Sequence, residues 1–304
     1  MLDILIRACS FIAIIFMGYL LKKIGFFKKE DFGILSKIAI RLTLPCAIIV
    51  SFTGKVIDPA MLSLPLLALV FGAVYVAAAY LSHKALGMSR ADQAFAMVNL
   101  SGYNIGNFVI PFAQSFFGPM AVVAISIFDT GNAMVCLGGA FSMACMVKDG
   151  SRFSVMRIVR SLFKSVPFIV YIVMLAATLL KIPTPAFVLS IAEIGSSANA
   201  FVAMLMIGVG FELKAKRENL MTIVRIVALR YSIAAVFALI CFFMTPFALE
   251  IRQALVILAF SPVGSAVPGF TGEMGGDVGL SSAINSICMV ISITIIVSLL
   301  VVML

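Results

Sequence analysis

The sequence has no tryptophan, one histidine and few charges: only 12% of its 304 residues are Asp, Glu, Lys or Arg. Soluble domains are about a quarter charged, so a soluble globular enzyme and a disordered chain are excluded. The six cysteines form no CxxC and no Cys/His cluster. They read as small buried residues rather than disulfides or metal ligands. HExxH, GxSxG and Asp-rich prenyl-phosphate motifs are absent, as is a nearby Ser/His pair. Catalysis inside the membrane therefore has little support, and no cofactor is called for. No small-residue cleavage site follows the N-terminal apolar run; Lys22 and Lys23 come instead. That run reads as a first span and not as a signal peptide. Without tryptophan, the aromatic belts rest on Tyr and Phe.

What is present is apolar. The chain is 63% hydrophobic with a mean hydropathy of +1.19, the composition of an all-α polytopic membrane protein. A membrane helix needs about 20 apolar residues. Ten runs approach that length: 4–21, 34–53, 61–82, 91–116, 121–147, 165–181, 187–210, 222–245, 250–273 and 280–303. The net charge of +9 raises a nucleic-acid role first, but the placement of the cations argues against it. Lys22, Lys23, Lys28 and Lys29, Lys84 and Arg90, the five cations from Lys148 to Lys164, and Lys214, Lys216, Arg217 and Arg225 all fall in loops on one side. The opposite side has Arg7, Lys55, Lys181 and Arg252. The positive-inside rule puts the richer side in the cytoplasm and both termini outside. The basic loop 148–164 is also suited to lipid headgroups.

Five spans per half give an inverted repeat, residues 1–150 and 151–304, as in many secondary transporters. A short echo supports it: Gln93 and Ser101 recur as Gln253 and Ser261 at one offset. Helices 4 and 9 both carry breakers at matching depth. The first has Ser101-Gly102-Tyr103-Asn104-Ile105-Gly106-Asn107 and then Pro111; the second has Ser261-Pro262-Val263-Gly264-Ser265 and then Pro268. Each cluster begins 10–11 residues into its helix, roughly 15–17 Å, near the bilayer midplane. Gly costs about 1 and Pro about 3 kcal/mol in a helix interior. Unwound backbone at that depth is tolerated only inside protein or beside water. Its freed N–H groups favour anions and its freed C=O groups favour cations. The plainer alternative is that Gly and Pro here only permit kinks and close packing. The substrate-binding candidates are Asn104, Gly106, Asn107, Pro111, Ser261, Pro262 and Ser265, with Asn199 on helix 7 reaching the crossover or bonding another helix.

These residues resemble the auxin efflux carrier family of membrane transporters, which includes plant PIN carriers and many bacterial permeases, the malonate–malate permease-like carriers among them. The shared features are Asn104, Gly106 and Pro111, the turn at Phe117, Gly118 and Pro119, the Leu44-Pro45 pair of helix 2, Gly208 and Leu213 at the end of helix 7, and Gly275-Gly276-Asp277 before the serine-rich helix 10. Val109, where a second Gly is common, and Asn199-Ala200, where a Pro is common, depart from the pattern. The resemblance implies ten helices, a scaffold with a mobile core, and crossing helices 4 and 9. It also implies transport of organic anions across a bacterial inner membrane.

Ionisable residues inside a membrane are functional candidates. Asp129 lies about 12 Å and Glu193 about 9 Å from the outer end of their helices. They are read as a proton- or sodium-coupling pair in one outward vestibule, or as carboxyls held by neighbouring helices or water. Arg41 and Arg230 are read as snorkelling, with charge offered to an anion on the inner approach as the alternative for each. His83 is read as an interface residue. The sequence therefore predicts a permease for a small organic anion (carboxylate), with proton or sodium coupling, lipid as its surroundings and no nucleic-acid partner; a homodimer stays open. The alternatives are a sodium- or proton-coupled symporter of a bile-acid-like or uncharged solute, and a channel or sensor without turnover.

Overall fold

The computed structural model describes residues 2–28, 30–212 and 217–304. Lys29, Leu213, Lys214 and Lys216, named above, lie outside the described residues. Among the described residues the chain is helical, with no strand. Helix α1 (Leu2–Lys23) is followed by α2 (Asp31–Ile38) and α3 (Leu44–Phe52), joined through a π-helical turn at Ala39–Thr43. Pro45 explains that turn. A proline ring pushes away the carbonyl four residues before it, and the preceding turn widens until Leu44 N–H reaches Ala39 O. Helix α4 is Leu64–Ala85.

Next come α5 (Arg90–Leu100), a π-helical turn at Ile105–Val109 and α6 (Ile110–Phe116). Ser89 caps α5 by accepting from Asp92 N–H, an N-cap contact. The second π turn again runs into a proline, Pro111. Helix α7 (Pro119–Met134) passes through a third π turn, Val135–Gly139, into α8 (Ala140–Asp149). A short helix, α9 (Val155–Lys164), has polar and apolar faces and meets α10 (Val166–Leu179) at an 80° bend. Helices α11 (Ala186–Gly210), α12 (Leu220–Phe243), α13 (Leu249–Ala259), α14 (Val267–Glu273) and α15 (Val278–Met303) complete the chain.

Among the described residues seven helices are long and apolar enough to cross a membrane, or eight if α9 and α10 are one span. Of the ten predicted runs, the remaining two are those the chain interrupts, at Ser101–Asn104 and between Ala259 and Val267. Each piece alone is shorter than a bilayer requires.

Two packed groups arise. Helix α11 lies along α1 and α3, while α4 packs on α7 and α5, α5 on α8, and α12 on α13. Small residues allow the closest approaches, as in other membrane helix pairs. A Cβ on Gly208 would sit 2.0 Å from Ile15 O, and one on Gly131 would sit 2.1 Å from Pro65 O. The expectation that all cysteines are buried holds for Cys241 and Cys288, whereas Cys9 is exposed. His83 is buried, with Nδ1 3.0 Å from Ala79 O, because α4 turns it inward rather than to the interface.

Candidate functional site

The two interruptions meet. Asn104 N–H donates to Pro262 O at 2.9 Å, so backbone freed in one break is satisfied by the other. The first break is held by a side chain. Asn132 Nδ2 donates to Tyr103 O (3.1 Å), and its Oδ1 accepts from Tyr103 N–H (3.0 Å). One amide thus reads both polar groups of a residue with no helical partner, as buried backbone demands.

Arg230, ten residues into α12, is fully buried. It donates to Leu100 O, to Gly102 O (2.9 Å) and to Ser261 O (2.7 Å). The snorkelling expected of it is therefore corrected. At about 15 Å from the helix start it lies level with carbonyls that lack helical partners, and these hold the guanidinium better than a distant interface does. Its charge also suits the negative ends of α5 and α13. Tyr75 and Tyr103 flank it, with ring centroids 5.2 and 5.6 Å away. Among the described residues no carboxylate pairs with it.

Beside the breaks lies a cavity of about 130 Å³. All three π-helical turns reach it: Ile40 from the first, Ile105, Gly106 and Asn107 from the second, and Cys136 and Leu137 from the third. Such turns recur at functional sites because they offset the regular bonding ladder. Asn104 and Ser265 complete the polar lining near the breaks, and Asn107 Nδ2 donates to Ser265 Oγ at 3.3 Å. Among the residues that line it, Asn104 Nδ2, Asn107 Oδ1 and Tyr103 OH are buried without a partner. A buried donor or acceptor left unmade is costly.

Asp129 lines the cavity as well. Its Oδ1 accepts from Asn132 Nδ2 (2.7 Å) and its Oδ2 from Tyr171 OH (2.9 Å). One amide side chain thereby connects the carboxylate to the helix break. Glu193, expected beside it, is exposed on α11 and does not line this cavity.

The other predicted residues serve the frame. A Cβ on Gly106 would meet Leu44 Cδ2 at 2.6 Å, so this glycine lets α3 close on the cavity. Pro111 is buried in the first turn of α6, where its missing N–H costs little. Ser261 and Pro262 contribute carbonyls to Arg230 and Asn104, not side chains to the cavity. Asn199 is buried outside it, accepting from Thr43 Oγ1 (2.9 Å) and donating to Gln114 Oε1 (2.8 Å). Sequence reasoning gave no role to Asn132 or Tyr171. Asn132 is three residues from Asp129, hence on the same helix face, and that spacing was a usable signal.

No curated protein matches the chain. Residues 4–145, which carry the first break, Asp129 and Asn132, match the family model described as Membrane transport protein, the family that includes the auxin efflux carriers.

Proposed function

We propose that the chain is a secondary transporter that moves a small organic anion by alternating access. In this reading the interrupted helices also cross the bilayer, giving ten spans in a 5+5 inverted repeat with a crossing pair. The loop rich in Lys and Arg faces the cytoplasm of a bacterial cell, and both termini lie outside. The group built on α1, α3 and α11 is the scaffold, and the group holding both breaks moves against it.

One observation carries the reading: the cavity at the meeting of the breaks holds a buried donor and a buried acceptor without partners, Asn104 Nδ2 and Asn107 Oδ1. A carboxylate accepts from the first, and a hydroxyl or protonated acid donates to the second. Asp129 shares the cavity, and two negative charges at low dielectric repel strongly. A proton taken up by Asp129 together with the anion removes that repulsion. It also withdraws an acceptor from Asn132 or Tyr171, which links proton binding to the fixed break. Sodium coupling has less support, since Arg230 already takes the carbonyls that a cation would use at the breaks.

The test is counterflow in proteoliposomes, after a thermal-shift screen of dicarboxylates and aromatic acids identifies a ligand. Asn104→Ala is expected to abolish counterflow while the protein stays monodisperse. Saturable transport separates a carrier from a pore, and full activity in Asn104→Ala removes the assignment.

A further inference from the structure

Next to the central cavity, a second cleft of about 360 Å³ runs between α2 and the α9–α10 bend. Three cations line it, Lys37, Arg41 and Lys164, and no Asp or Glu does. All three side chains are exposed. Lys37 and Arg41 are four residues apart and share a helix face.

Arg41 is the informative one. It sits ten residues into a membrane-length helix that starts at Asp31, roughly 15 Å along it. A guanidinium at that depth costs a few kcal/mol against lipid and is retained where it meets water or a counter-charge. The π turn at Ala39–Thr43 contains it, and the next residue back, Ile40, lines the central cavity. Ile40, Leu137 and Ser165 line both spaces, so the cleft and the cavity adjoin. Ser165 is the N-cap of α10, which adds the positive end of a 14-residue helix at the junction.

The geometry points to this cleft as an anion vestibule: Lys37, Arg41 and Lys164 gather small carboxylates from the side of the basic loops and pass them between Ile40 and Leu137 to the cavity. The inference rests on the transport reading above and adds the route and the charge filter. Like-signed walls around a narrow cleft raise the local concentration of the opposite charge, so the vestibule selects anions before the cavity binds them.

The test needs no known substrate. Leu137→Cys and, separately, Ile40→Cys in the full chain are reconstituted and treated with an anionic methanethiosulfonate (ethylsulfonate) or a cationic one (ethyltrimethylammonium). Mass spectrometry of the labelled peptide reads the site, so the native cysteines stay in place. Rates are normalised to those of 2-mercaptoethanol. The expected result is an anion preference of about tenfold at low salt that falls with added NaCl, as electrostatic focusing does. It should collapse when Lys37, Arg41 and Lys164 are all changed to Gln, and persist in Arg41→Lys. Should the triple variant not fold, Lys164→Gln alone is expected to lose part of the preference. Equal normalised rates, an unchanged preference without the cations, or no labelling at either site overturns the vestibule. Failure of the transport reading looks different: the unaltered protein would then show no saturable counterflow, whatever the labelling shows.

Discussion

The two helix breaks sit side by side yet are held by different means. The first, Ser101–Asn104, is bonded at both polar groups of Tyr103 by one side chain, Asn132. It turns on Gly102, whose φ of +76° places it in the left-handed region that only glycine visits freely. The second spans Phe260 to Ala266 and depends on its neighbours. Arg230 takes Ser261 O, Asn104 takes Pro262 O, and Asn107 reaches Ser265. The breaks share Arg230, which takes Gly102 O of the first and Ser261 O of the second, but only the first has an amide side chain, Asn132, that bonds both polar groups of one of its residues.

The largest expected effect comes from the residue both breaks share. Arg230→Met leaves three buried carbonyls without a donor. Although it also removes a buried charge, each carbonyl left without a donor is destabilising by roughly 1–3 kcal/mol. Thermal unfolding in detergent, followed with a thiol-reactive dye, should show a fall of more than ten degrees or a loss of monodisperse protein. A change below about 1 kcal/mol would mean the breaks do not need their common cation.

Asn132→Leu tests the first break alone. It strips Tyr103 of its acceptor and donor and Asp129 of one donor, a loss of about 2–4 kcal/mol by the cost of unmade buried hydrogen bonds. Transport should fall further than stability, because the link from Asp129 to the break is cut as well. Equal losses in both would reduce Asn132 to a structural role.

The smallest effects sharpen the contrast. A Cβ on Gly102 would lie 2.2 Å from Cys136 Sγ, on a positive φ, whereas one on Gly264 would find its nearest atom at 3.6 Å. Gly102→Ala is expected to cost about 2–3 kcal/mol from strain and overpacking. Adding Cys136→Ala should recover only the clash. Gly264→Ala is expected to stay within about 0.5 kcal/mol, as substitutions away from strained or packed features do. If both glycines tolerate alanine equally in unfolding measurements, the two breaks are not held differently.

Much of this was legible in the residues, for physical reasons. Gly102 and Pro262 mark the interruptions because each disfavours a helix wherever it stands, independently of its neighbours. The prolines at 45 and 111 also carry information that sequence reading did not use, since each widens the turn before it. Arg230 was misread because a lone arginine in an apolar helix looks the same whether it reaches for water or for a carbonyl. Its depth, level with the breaks, was the available clue. Asp129 and Glu193 looked like a pair by depth alone, but depth leaves the facing of a helix open, and they face different surroundings.

By itself the sequence determined that the chain is a bundle of apolar helices, where those helices are interrupted, and which loops are basic. These are local properties, set by hydropathy, by backbone freedom and by the distribution of charge along the chain. Only the tertiary structure decided which freed groups find partners. Whether a carbonyl ends at Arg230, an amide at Asn132 or a side chain at nothing depends on residues more than a hundred positions apart in several cases, brought together by packing that no local pattern encodes.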